Sequence, residues 1–184
     1  MIDAARVLVR RFSRAKSGAA ALEFAFVAPI FLLLYIGGVD LTRAFIFNHK
    51  MQNATTAIVD LVTQATDLSK SSVADTFDVA DVMLSRFDAT PIAVRVTVVQ
   101  IDAAGKGTVT WSVVRNMPRR AAGTAYTLPP NLEGLRDFTL VVSETSHDYT
   151  PILSYAIVGT VPMAAEAHGR FRGKKATACT DCAK

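Results

Sequence analysis

The 184-residue chain has the length of one domain, or of one domain with a membrane anchor. Hydrophobic residues make up 51% of it, and its formal net charge is +4. The basic side chains of residues 1–18, offset by a single aspartate, account for a charge of that size by themselves, so the basic balance of the whole chain gives no support for nucleic-acid binding.

A nearly unbroken apolar run follows this basic segment and covers residues 18–38. It is about as long as a helix must be to cross a bilayer. Its one charged side chain is Glu23, near the start, and a carboxylate in such a segment costs about 2.5–3.5 kcal/mol at mid-helix and less near an end. Glu23 is therefore a candidate functional residue. The basic residues ahead of the run are Arg6, Arg10, Arg11, Arg14 and Lys16.

The order of residues around Gly18 resembles a type IV prepilin leader. A short basic segment ends in a small residue, four residues follow, and then come Glu23, the aromatic Phe24 and the apolar helix. The Glu-Phe pair in this register resembles the tight-adherence (Tad/Flp) branch of type IV pili. The long helical stem and small β-rich ectodomain are similar to those of TadE-type minor pseudopilins. The resemblance implies a pseudopilin of the inner (cytoplasmic) membrane that takes part in pilus assembly.

Cleavage after Gly18 by a prepilin peptidase is the processing step that this resemblance implies. Ala19 would then be the new N-terminus, and Glu23 would pair with its free amine. The charge argument agrees, since a buried pair of opposite charges tolerates an apolar environment better than either charge alone. Two other interpretations of Glu23 stay open: a solvated side chain at the headgroup interface, and a polar contact to another membrane helix. The implied partners are the membrane, the peptidase and other pilin-like subunits that pack on the N-terminal helix.

Two other interpretations of the N-terminal segment compete with a cleaved leader. The basic residues could be a plain topology signal for an uncleaved single-pass anchor, whose ectodomain binds a ligand or an envelope partner. A secretory signal peptide is the second, but the apolar run is long for one and no A-x-A site follows Gly38. In the leader and anchor interpretations the N-terminus stays in the cytoplasm and the ectodomain is periplasmic or otherwise extracytoplasmic.

The predicted organisation has four parts: a leader at 1–18, a membrane helix at 19–39, a stem helix at 40–68 and an extracytoplasmic domain at 69–184. Apolar residues recur at helical spacing through the stem. A turn at 69–72 precedes a second helix, for which Ser72 and Asp75 form a predicted capping-box variant. Pro91 ends this helical region. The apolar face predicted for the second helix is Val73, Phe77, Ala80, Leu84 and Phe87.

Alternating apolar residues predict strands at 92–101 and 108–115, joined by the glycine-containing turn at 105–107 into a β-hairpin. Val109, Trp111 and Val113 are predicted on one face of the second strand. A loop at 117–135 and a third strand at 138–145 follow. The apolar stretch from Ile152 to Ala165 is too short and too interrupted for a second span, so we predict a buried segment. The predicted fold is α+β: a long N-terminal helix packed on a small antiparallel sheet, as in pilins.

No catalytic pattern stands out, so the chain is predicted not to be an enzyme and to need no cofactor, metal or small-molecule substrate. Ser146-His147-Asp148 contains the residue types of a hydrolase triad, but neighbours on a strand point to opposite faces, and a triad requires convergence. Three aspartates repeat at i,i+3 spacing on the second predicted helix, where they form a solvated acidic face rather than a calcium loop: Asp75, Asp78 and Asp81.

The two cysteines, Cys179 and Cys182, stand in the sequence Cys-Thr-Asp-Cys near the C-terminus. An oxidising compartment permits a disulfide between them, although the closed loop is so short that its entropic contribution is modest. A redox pair would need a thioredoxin-like βαβ context, and a zinc site would need two further ligands. The sequence therefore favours a structural disulfide.

Overall fold

The computed structural model of the chain describes residues 18–65, 67–85, 91–152, 159–171, 179 and 181–182. The predicted leader, apart from Gly18, and the predicted core residue Phe87 lie outside these ranges. The chain divides into two compact units, Met1–Thr42 and Arg43–Lys184. Its helices and strands are α1 (Ala19–Gln64), α2 (Lys70–Leu84), β1 (Ala93–Ile101), β2 (Gly107–Arg115), β3 (Ala125–Tyr126), β4 (Phe138–Tyr149) and β5 (Val161–Arg170). The α+β fold class predicted from the sequence is confirmed.

Helix α1 is continuous over 46 residues and contains Pro29. Its most apolar 18-residue window has a mean hydropathy of 2.2, with none of that window buried. Among the described residues, this is the one helix long and apolar enough to cross a membrane by length and composition. The helix ends at Gln64, earlier than the predicted end of the stem at Leu68, because the chain must become extended at Ser69 to begin α2.

The N-cap of α2 is Ser69, one turn earlier than predicted. Its backbone is extended, its Oγ accepts a hydrogen bond from the Ser72 amide at 3.1 Å, and its own amide donates to Ser72 Oγ at 2.9 Å. These two bonds form a capping box in which a serine takes the place usually held by glutamate. The predicted pairing of Ser72 with Asp75 is therefore wrong, because Ser72 already lies inside the helix as the third residue.

Five antiparallel strands form one sheet in the order β3-β2-β1-β4-β5. The predicted hairpin of β1 and β2 is confirmed, and β4 pairs along the other side of β1. On one face lies the main core, to which the second half of α1, helix α2 and three strands contribute. Thr55 of α1 and Thr145 of β4 share a buried hydrogen bond at 2.7 Å between their hydroxyl groups. The large side chains of this core include Phe47, Met51, Ile58, Val62, Phe77, Leu84, Val96 and Trp111.

A bulge between β1 and β2 corrects the predicted face of Val109. Val98 pairs with Trp111, whereas its neighbour Val99 pairs with Val109. Val98 and Trp111 belong to the main core, and Val99 belongs to a smaller apolar cluster. Val109 therefore does not continue the row of Trp111 and Val113, because the extra residue in β2 shifts the alternation.

The smaller apolar cluster forms under the connection between β2 and β4. This connection, predicted as a loop, contains β3 and a 3-10 turn at Pro130–Leu132. The cluster brings together Val99, Ile101, Leu128, Leu140 and Val142. At the other side of the sheet, β5 alternates between part-buried and exposed residues, so the predicted buried segment is wrong over residues 161–165. Only one face of this strand, with Met163 and Ala165, packs against the main core.

Candidate functional sites

The predicted processing site lies at the start of α1. Gly18 is exposed immediately before the helix, and Ala19 is its first residue. Glu23 is exposed one turn further on, and within the described part of the chain it has no hydrogen bond or ion pair. Residues four apart lie on the same helix face, and helical side chains lean toward the N-terminus. The Glu23 carboxylate is thus directed toward the end of the helix at which a new amine on Ala19 would be.

Large apolar side chains cover this part of α1 on all sides. A helix that is apolar around its whole circumference needs lipid or other apolar helices as its surroundings. Phe24, the predicted partner of Glu23 in the motif, is 72% exposed. The exposed residues are Leu22, Phe24, Phe26, Val27, Ile30, Phe31, Leu32, Leu33, Leu34 and Tyr35. The helix can therefore serve as a membrane anchor and as a packing surface for similar helices.

A charged cluster lies on the sheet face opposite the main core. Glu144 of β4 accepts hydrogen bonds from Arg95 of β1 at 2.7 and 2.8 Å, and it is also bound by both terminal nitrogens of Arg120. Arg95 donates further to the Pro118 carbonyl at 2.9 Å. Burial by itself would raise the pKa of Glu144, but the hydrogen bonds from Arg95 and Arg120 outweigh burial and hold its pKa below the ordinary value.

Tyr126 and Glu166 extend this cluster to a surface cavity of about 540 Å³. The Tyr126 hydroxyl donates to Glu166 Oε1 at 3.2 Å, and Arg120 lies over the Tyr126 ring at 5.0 Å. Burial and then the negative charge of Glu166 raise the pKa of Tyr126 to about 12. Leu128, Pro129 and Pro130 form apolar lining. The cavity combines apolar surface with charges of both signs.

Sequence reasoning missed this cluster. Neither Arg120 nor Glu144 belongs to a motif that the sequence makes recognisable. A signal was present for Arg95, because it is the one charged residue of β1. The partnership of Arg95 and Glu144 requires the pairing of β1 with β4, in which Arg95 lies directly opposite Glu144. That pairing joins residues 49 positions apart in the chain.

The other predicted site residues lie elsewhere in the unit Arg43–Lys184. Cys179 and Cys182 form a disulfide with a Cα–Cα distance of 5.4 Å. Their sulfurs and a carboxylate oxygen of Asp181 lie within 4.8 Å of one another, but no thiolate is available to a metal in the disulfide form. His147 is buried against Phe47, whereas its neighbour Asp148 is exposed. The alternation of β4 therefore directs His147 to the opposite face from Ser146 and Asp148.

Comparison with known families places the resemblance on the N-terminal helix. Residues 18–60 match the family model of TadE-like proteins. The match begins at Gly18, includes Glu23 and Phe24, and covers about a quarter of the chain. No curated protein and no solved structure matches the chain significantly. From Gly18 through most of α1, the chain is thus similar to TadE-like proteins, as the order of residues around Glu23 predicts.

Proposed function

We propose that this protein is a TadE-like minor pseudopilin that takes part in the assembly of tight-adherence pili. The observation that carries the proposal is the coincidence of three features at one point in the chain. Helix α1 begins at Ala19, the TadE-like match begins at Gly18, and an exposed apolar surface follows at once. A helix of this kind in a Tad-system membrane protein is suited to pack against the helices of other pilin-like subunits.

In the proposed mechanism, the basic residues of 1–18 keep the N-terminus in the cytoplasm while the chain inserts as a single-pass protein of the inner membrane. A prepilin peptidase then cleaves after Gly18, which creates a cationic amine on Ala19 in an apolar environment. Glu23 neutralises that amine, in the same subunit or in a neighbour. The ectodomain remains outside the membrane and presents a surface to the assembling pilus.

The test of processing compares two glycine variants in a host that assembles these pili. The Cβ of a leucine at Gly18 or at Gly38 would meet no other group within 4 Å, so both positions have room for a side chain to begin. Gly18→Leu is expected to leave an uncleaved, slower-migrating protein and to lose pili. Gly38→Leu, on the same helix but away from the cleavage point, is expected to be cleaved like the wild type. Equal cleavage of both variants would refute the proposed site.

The test of Glu23 compares Glu23→Ala and Glu23→Gln with the wild type for pilus number at equal membrane abundance. Both variants remove the negative charge that the amine on Ala19 requires, so both are expected to be cleaved and inserted but to lose assembly. Glutamine keeps the size and hydrogen-bonding capacity of the side chain. Normal assembly by Glu23→Gln would therefore show that the charge is dispensable and would refute this role.

An uncleaved membrane protein with a binding ectodomain is the second candidate function. The observation that favours it is the cavity beside Tyr126 and Glu166, which a purely structural ectodomain does not require. If the native protein retains residues 1–18 and Glu23→Gln has no effect, this second function is favoured. Substitutions at Glu166 should then impair its activity more than substitutions at Glu23.

A further inference from the structure

The C-terminal segment is fastened to the ectodomain at a disulfide loop. Cys179 and Cys182 are 7% and 0% exposed and belong to the main core. Between them, Asp181 is exposed, but its carboxylate is directed back toward the protein. We call Cys179, Asp181 and Cys182 the C-terminal clamp. Its two buried cysteines flank Asp181, so the position of Asp181 depends on both of them.

Asp181 caps a helix that is more than a hundred residues away in the chain. Its Oδ1 accepts a hydrogen bond from the Lys70 amide, the first of α2, at 3.0 Å. The capping box of Ser69 satisfies the Ser72 amide but not that of Lys70. A carboxylate at the start of a helix both satisfies a free donor and interacts favourably with the helix dipole. The clamp therefore adds a second cap to the N-terminus of α2.

A third contact ties the clamp to the sheet. Arg119, in the connection between β2 and β3, donates a hydrogen bond to the backbone carbonyl of Cys182. The clamp thus contacts the main core, the start of α2 and the connection between β2 and β3. The disulfide holds the two anchoring cysteines together, so it preorganises both hydrogen bonds.

We propose that Cys179 and Cys182 are an oxidative modification site, and that forming their disulfide docks the C-terminus onto α2. The oxidant is a disulfide-bearing thiol oxidoreductase of the extracytoplasmic compartment, so the proposal rests on the location given under the proposed function. A Cys179 or Cys182 thiolate attacks the enzyme disulfide and forms a mixed disulfide. The second cysteine, as its thiolate, then displaces the enzyme thiolate. The two cysteines lose two protons and two electrons, and the enzyme disulfide is reduced to a dithiol.

In the dithiol form, the clamp lacks the covalent bond between Cys179 and Cys182. The Lys70 amide then loses a fixed acceptor, and the first turn of α2 opens more often. Oxidation therefore couples arrival outside the cytoplasm to completion of the ectodomain. A metal ion bound by the two thiolates and Asp181 would be a different state, because both sulfurs would have to be unoxidised.

The first test traps thiols with N-ethylmaleimide while the full-length protein is extracted from its native membrane. We expect both cysteines to be unlabelled before reduction and both to be labelled after it. Labelled cysteines in the native sample, or a bound zinc ion in its native mass spectrum, would overturn the proposal. Free thiols in a sample whose N-terminus is Ala19 would overturn the disulfide proposal and leave the proposed cleavage after Gly18 standing. A disulfide in a sample that begins at Met1 would contradict processing alone.

The second test measures hydrogen exchange in a peptide that covers the start of α2, in the full-length protein held in detergent. Reduction and the Asp181→Ala variant should each speed exchange of the Lys70 amide by about fivefold, the effect expected of losing one helix cap. Asp181→Ala removes the acceptor but should keep the disulfide, which separates the cap from the covalent link. Asp75→Ala is the matched control, since Asp75 is an exposed aspartate of the same helix beyond its first turn. Unchanged exchange in both the reduced protein and Asp181→Ala would overturn the proposed role of the clamp.

Discussion

Gly169 of β5 lies where α1 closely approaches the sheet, so a methyl group added there tests the packing of the stem directly. The new Cβ would lie 2.2 Å from Val59 Cγ1 and 3.2 Å from Thr63 Cγ2. Both residues are buried on α1. Valine in a helix strongly prefers one rotamer, so Val59 cannot turn its methyl aside without cost. The contact at 2.2 Å therefore requires the helix or the strand to move.

The magnitude follows from two opposing contributions. Replacing glycine by alanine in an element interior gains about 0.5–1 kcal/mol of unfolding free energy. Overpacking a close-packed core costs about 1–3 kcal/mol or more, and a 2.2 Å contact is at the upper end. We expect Gly169→Ala to lower stability by about 2 kcal/mol, or the Tm by roughly 4–8 °C for a chain of this size. Unfolding of the full chain in detergent can be followed by the fluorescence of Trp111, its one tryptophan, which is buried in the main core.

Two variants make the result interpretable. Gly134→Ala adds a methyl group that meets nothing within 4 Å, so its Tm should stay within about 2 °C of the wild type. Adding Val59→Ala to Gly169→Ala removes the methyl that clashes, and the double variant should be more stable than the sum of the two single effects predicts. A Gly169→Ala protein as stable as Gly134→Ala, or strictly additive effects, would refute the close packing of α1 on β5.

The charged cluster around Glu144 yields two further predictions. Glu144→Gln should destabilise the protein by about 1–3 kcal/mol, because Arg95 and Arg120 lose the carboxylate that they bind. The loss should be smaller than the loss of a fully buried ion pair, because the Glu144 side chain is 17% exposed. Since the pKa of Glu144 is lowered in the fold, its stabilising effect is present above the ordinary glutamate value of 4.5 and is lost as the pH falls below it. The stabilities of the wild type and Glu144→Gln, measured against pH, should therefore converge in acid. A constant difference between the two curves would contradict this. The pKa of Tyr126 is raised to about 12, so its contribution is complete below pH 10 and is lost as the pH rises toward 12. Tyr126→Phe should flatten the stability profile between pH 10 and 12, and an unchanged slope would show that Tyr126 does not titrate with unfolding.

Local patterns predicted the elements well because each depends on neighbours in the chain. Alternation from Val94 to Val98 predicts β1, and a basic segment before Gly18 and Glu23 predicts the TadE-like start. The serines at 69–72 were harder, since several of them can cap a helix and local spacing does not say which one becomes extended. Ser69 is the one that does so, and its Oγ and amide then pair with Ser72.

Features that depend on distant residues could not be predicted. The bulge that separates Val109 from Trp111 is a property of the paired strands, because a single strand carries no record of its partner's register. The bond between Arg95 and Glu144 requires β4 to lie beside β1, and several strand orders are compatible with the same alternation. The cap that Asp181 supplies to α2 likewise depends on where the C-terminus folds back.

The measurement that tests the central claim most directly is the N-terminal sequence and intact mass of the protein from its native membrane. The proposal predicts a chain that begins at Ala19 in the wild type and at Met1 when the prepilin peptidase is deleted. A chain that keeps residues 1–18 in both strains would contradict processing and favour the uncleaved anchor. Cleavage beyond Gly38 would contradict the membrane role of α1 altogether, since Glu23 would be absent from the mature protein.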